Sequence, residues 1–171
     1  MTLVGFAGFL FALSAAYFAD LRGSRTRLVV FVLLLVTHTA AALAYYLYVQ
    51  GGAASDAVLY YYDDIGLYGR MSGLGTAVLL AFVQELKINV GGEFFDYFMI
   101  FQAFGFWGLV FVAKTIQEIF EEVEIEPSGW IYLPLFLPGL HFWTAAIGKD
   151  APIFLAIALS VWASMRLGKR L

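Results

Sequence analysis

The chain has 171 residues, of which 62% are hydrophobic, 18% aromatic and only 13% charged, whereas soluble domains carry roughly 45–50% apolar and about 25% charged residues. The excess apolar surface has to face lipid, and a span consumes about 20 residues, so the length allows four to six passes and no separate globular domain. The net charge is −3 and cysteine is absent, which excludes disulfide frameworks, thiolate metal sites and cysteine nucleophiles, and no basic run with interleaved aromatics supports a nucleic-acid partner.

The first apolar run, Leu3 to Ala19, is followed rather than preceded by basic residues (Arg22, Arg25, Arg27), the reverse of a signal peptide, so it reads as a retained helix with its N-terminus outside. The second, Leu28 to about Gln50, is long enough to span and ends in Tyr45, Tyr46 and Tyr48, as an interfacial aromatic belt does. Gly51 to Gly75 is the longest loop and is rich in tyrosine and aspartate. Thr76 to Val90 is apolar but short and holds Gln84, Glu85 and Lys87, which favours an interfacial or re-entrant helix over a span.

Phe94 to Ala113 is the third clear span, ending at Lys114. Thr115 to Gly129 carries five glutamates, and its Ile116, Ile119, Phe120, Val123 spacing predicts an amphipathic surface helix with the glutamates solvated. Trp130 to about Ile147 is interrupted by Pro134 and Pro138 and reads as a broken helix whose freed carbonyls need partners. The last run, Ala151 to Met165, precedes Arg166, Lys169 and Arg170. The expected fold is therefore all-α: one polytopic membrane module over residues 1–171, with about five membrane-embedded helices, one proline-broken, plus interfacial amphipathic helices.

With the N-terminus outside and Thr76 to Val90 not crossing, seven basic residues fall inside (Arg22, Arg25, Arg27, Lys114, Arg166, Lys169, Arg170) and three outside (Arg70, Lys87, Lys149). This satisfies the positive-inside rule. It also puts the aspartate-rich loop and the Gly148-Lys149-Asp150 corner on one extracytoplasmic side.

Two outside segments carry candidate chemistry. In Ser55 to Asp64, Asp56, Asp63 and Asp64 sit among Tyr60, Tyr61 and Tyr62; a carboxylate there suits a general base toward a sugar hydroxyl, and tyrosines stack on sugar rings. The plainer alternative is a solvated loop with an interfacial belt. In Pro138 to Asp150, His141, Lys149 and Asp150 cluster beside Trp143 after a broken helix. Ionisable groups at membrane depth are functional by default, and a lysine suits a phosphate as a point charge. Alternatively Trp143 and Lys149 anchor to headgroups and Asp150 caps the last helix. His38, midway along the second span, is open to a proton-path reading or to a neutral imidazole bonded to a neighbouring helix. Glu93 and Asp96 flank the start of the third span and face either the same outside cavity or the interface. No carboxylate–histidine cluster is specific enough to propose a metal, and no cofactor is expected.

The proline-rich helix followed by His141-Phe142-Trp143 and Gly148-Lys149-Asp150 resembles a recurring segment of bacterial polytopic proteins of polysaccharide assembly. These are the Wzy-like or EpsG-like oligosaccharide repeat-unit polymerases and the lipid-linked-sugar glycosyltransferases of the GT-C type. Ser55-Asp56-Ala57 with Tyr60-Tyr61-Tyr62 is similar to their first large extracytoplasmic loop; together the two features cover about a quarter of the chain. The resemblance implies transfer of a sugar from a polyprenyl phosphate carrier to an acceptor hydroxyl, outside the bacterial cytoplasmic membrane. In that picture Asp56 is the base or orienting carboxylate, and His141 and Lys149 face the carrier phosphate. Asp63, Asp64, Arg70, Tyr61, Trp143 and Asp150 then contact substrate. Such proteins usually have around ten or more spans, so the expectation is the N-terminal part of a longer protein, or a short relative that lost activity or needs a partner. The competing expectations are a non-enzymatic membrane subunit packing on larger partners through Gly105 and Gly108, or a small transporter component using His38.

Overall fold

A computed structural model describes residues 1–19, 24–62, 74–125 and 128–168. All regular structure among them is helical: α1 (Leu3–Phe18), α2 (Arg25–Gln50), α3 (Asp56–Tyr62), α4 (Leu74–Asn89), α5 (Phe94–Glu122), a 3-10 helix (Gly129–Phe136), α6 (Pro138–Thr144) and α7 (Asp150–Gly168). Arg22, Asp63, Asp64, Arg70, Lys169 and Arg170 lie outside the described residues.

Three helices, α2, α5 and α7, are long and apolar enough to cross a membrane. At 1.5 Å per residue α2 and α5 reach about 39 Å and about 43 Å, more than the ~30 Å of a hydrocarbon core. The expected five is not established on this measure. Helix α1 has 16 residues, and the proline-interrupted run is a 3-10 helix of 8 residues followed by a 7-residue α-helix. Both breaks have the predicted cause. Pro134 lies inside the 3-10 segment and Pro138 opens α6, where a residue lacking an N–H is tolerated.

Helix α5 is the hub. In its most apolar stretch 56% of residues are buried, against 11% in α7, so α5 meets protein on most sides while α7 shows most of its surface outward. Ring contacts give the directions. Tyr46 meets Phe94, Tyr45 meets Phe98 and Phe31 meets Phe106, so α2 runs antiparallel to α5. Phe11 meets Phe104 and Phe18 meets Phe111, while Gly108 faces Phe154 and Glu118 meets Arg166, so α1 and α7 run parallel to it. Asp96 ties the start of α1 to the start of α5: its carboxylate accepts from the Thr2 N–H (2.9 Å), the Thr2 hydroxyl (2.7 Å) and the Glu93 N–H (2.7 Å). The residue open to a cavity role in the sequence is thus a buried cap.

Two expectations about α5 need correction. The helix does not stop at Lys114; it continues unbroken to Glu122, because nothing between them removes a hydrogen bond or frees the backbone. Nor are the glutamates a uniformly solvated face. Glu118 is buried and accepts from Arg166 through Nη2 (2.9 Å) and Nε (3.1 Å) and from the Trp162 indole (3.2 Å), while Ile119 and Val123 are exposed. Glu118 turns inward because α7 supplies a cation there, while Glu121 and Glu122 stay exposed. Gly105 and Gly108 are likewise used inside this chain, against Thr144 and Phe154, so neither is an open docking face.

Candidate functional site

The end of the molecule where α2 finishes and α5 and α7 begin holds a cleft of about 970 Å³. One wall is the end of α2, with Tyr45, Tyr48 and Val49; another is Gly52 to Tyr60; the third is Phe142 and Trp143 with the corner Ala146 to Asp150. Each wall has a local reason. Helix α2 stops at Gly51, where Gly52 takes a φ of +89°, a left-handed conformation that suits glycine. The chain then re-enters a helix at Asp56, where the Ser55 hydroxyl accepts from the Ala57 N–H (3.1 Å) as a cap and meets the Tyr45 hydroxyl (3.0 Å). Helix α6 ends at Thr144, and α7 begins at Asp150.

The cleft unites the two segments singled out in the sequence. Asp56, Trp143, Lys149 and Asp150 all line it. Asp56 and Lys149 are exposed, so carboxylate and ammonium both reach solvent, and the Lys149 ammonium donates to the Thr76 hydroxyl at the start of α4 (3.1 Å). Tyr48 (56% exposed) and Trp143 (57% exposed) present apolar faces at the rim. Such a concavity, aromatic with a few charged groups, suits an amphiphile with a charged or hydroxylated head.

Tyr61 does not line the cleft. Its hydroxyl donates to the Gly92 carbonyl (3.1 Å), its carbonyl accepts from the Lys87 ammonium (2.7 Å), and that ammonium lies 4.6 Å from its ring centre. Burial, reinforced by the neighbouring Tyr62, Asp96 and Glu93, raises its phenol above the ordinary tyrosine value, so it acts as a neutral donor pinning α3 to the turn before α5. His141 is buried below the cleft rather than on its lining, with its Nδ1 3.1 Å from Nδ1 of His38. Asp63, Asp64 and Arg70, the other proposed substrate contacts, lie outside the described residues.

Sequence reasoning missed the partnership of His38 and His141, because it joins helices far apart in the chain. Two histidines in apolar runs were the available signal. It also missed Thr76, which holds Lys149, and Tyr48 as part of the cleft. No cluster of three or more metal-ligating side chains occurs among the described residues. No protein-family model, curated protein or solved structure matches this chain.

Proposed function

We propose that this chain belongs to a membrane glycosyl-transfer system that takes a sugar or oligosaccharide from a polyprenyl phosphate carrier to an acceptor hydroxyl, on the extracytoplasmic side of the bacterial cytoplasmic membrane. The observation that carries the reading is the meeting of Asp56 and Lys149, from segments distant in sequence, on one cleft with aromatic walls at the end of an apolar helical bundle. In this reading the Asp56 carboxylate takes the proton of the acceptor hydroxyl as its oxygen bonds to the anomeric carbon. The bond from that carbon to the carrier phosphate breaks, and the Lys149 ammonium stabilises the charge left on the phosphate oxygen. Trp143 and Tyr48 offer faces to the sugar or to the first units of the carrier. His141 is left out of substrate contact, since its ring is enclosed and engaged with His38.

Orientation belongs to the same proposal. The N-terminus and cleft are outside, and the end bearing Arg27, Lys114 and Arg166 is inside. The test is the full-length protein in its native membrane with Asp56→Asn and Lys149→Ala. Both are expected to abolish transfer of lipid-linked sugar while membrane abundance stays at the wild-type level; full activity in both removes this cleft from the reaction. The accessory-subunit reading loses its proposed docking faces, since Gly105 and Gly108 are occupied by this chain's own Thr144 and Phe154.

A further inference from the structure

We infer that His38 and His141 are a positioning pair, holding two walls of the cleft in register through a single hydrogen bond between their Nδ1 atoms. The functional importance of that register rests on the cleft being the substrate site, as proposed above. His38 lies midway along α2, and the same helix continues to Tyr45 and Tyr48 on one wall. His141 lies in α6, followed directly by Phe142 and Trp143 on the facing wall. The two side chains are 0% and 1% exposed, and their nitrogens approach to 3.1 Å. One ring must donate its Nδ1–H and the other accept, so the neutral rings hold opposite tautomers.

The layer around the pair is unusual for a bundle this apolar. Nε2 of each histidine and Oε1 of Gln102 are buried with no hydrogen bond of good geometry, although backbone groups of Gln102 and Thr144 adjoin His38 and that of Leu135 adjoins His141, and poorly satisfied buried polar atoms are destabilising. Apolar side chains of similar size would fill the layer without that penalty. What the histidines add to the apolar ring packing of Tyr45 and Tyr48 on Phe142 is one directional contact in a buried layer, between a continuous helix and the proline-broken segment. Gly105 makes room for it: a side chain there would meet both the Thr144 carbonyl and His38 Nε2. Gln102 donates to the Thr39 hydroxyl (3.2 Å) and ties α5 to the same turn of α2.

The contact through Nδ1 sets a discriminating test, because an asparagine amide stands where Nδ1 does, whereas a glutamine amide stands nearer Nε2. The absence of cysteine allows a readout independent of any reaction. Tyr48→Cys and Phe142→Cys replace rings 6.3 Å apart across the cleft, and a short thiol-reactive cross-linker is applied to the full chain in membranes. With His38→Asn the cross-linking yield is expected to stay near that of the unaltered pair. With His38→Gln or His38→Phe it falls about fivefold, the population change one hydrogen bond supports. Sugar transfer, assayed without the added cysteines, should follow the same order. Equal yields for Asn, Gln and Phe at equal abundance overturn the inference. The expected cross-linking order in a protein that transfers no sugar supports the pair and removes the glycosyl-transfer reading, whereas transfer with equal yields does the opposite. Should His38 variants fail to accumulate, the same series at His141 is read by the same rule.

Discussion

A Cβ at Gly105 would run into the Thr144 carbonyl and lie 2.8 Å from His38 Nε2, while at Gly139 nothing lies within 4 Å. Gly105→Ala therefore overpacks the layer where α2, α5 and α6 meet and should destabilise by about 1–3 kcal/mol, seen as a lower thermal midpoint of the purified protein in detergent. Gly139→Ala should leave the midpoint unchanged or raise it. Equal midpoints for the two would contradict the close approach of α6 to α5. Asp96 makes a similar residue-scale argument: it accepts three hydrogen bonds, and Asn in its place turns one acceptor into a donor facing donors. Asp96→Asn should cost about 1–3 kcal/mol in the same measurement.

Among the elements, α5 and α7 depend on a polar contact at their shared end. The Glu118 side chain is 9% exposed and meets Arg166, whereas Glu121, which meets Arg27, is 47% exposed. Arg166→Ala removes two of the hydrogen bonds to a buried carboxylate, leaving it the Trp162 indole, and should cost about 1–3 kcal/mol, while Arg27→Ala removes a pair whose carboxylate is half in solvent, worth about 0–1 kcal/mol. Denaturation of the two variants side by side gives the comparison, and an equal loss would place Glu118 in solvent. The stretch from Lys114 to Glu122 was legible as helix but not as part of α5. Its spacing marked Ile119 and Val123 as the buried side, the inference appropriate to water. In the structure these side chains turn outward and Glu118 turns in, where Arg166 and the Trp162 indole donate to its carboxylate.

Across the whole molecule, the directions of α1, α2, α5 and α7 put the cleft at one end and the Arg27–Glu121 and Arg166–Glu118 pairs at the other. Single cysteines at Ser55, Gly148 and Ser128 test the proposed orientation in intact cells. Ser55 and Gly148, both on the cleft, should react with an impermeant reagent, and Ser128, just before the 3-10 helix near Arg27, should not. Labelling of Ser55 and Gly148 from opposite sides would dismantle the cleft itself.

Hydropathy along the chain was enough to mark apolar helices, three of which among the described residues are long and apolar enough to cross a membrane, and Pro134 and Pro138 marked the broken segment, because hydropathy and missing N–H groups are local properties. The interest of Asp56, Trp143, Lys149 and Asp150 was also readable from residue type and position. Only the tertiary structure decided that these four share one cleft, that Tyr61 and Asp96 serve as ties, that His38 and His141 meet, and that the two glycines of α5 are filled from within. Each of those depends on which faces of separate helices come into register, and in an apolar chain many registers bury similar area. The sparse polar contacts and the close approach at Gly105 select among them, and both are properties of pairs of segments rather than of any one.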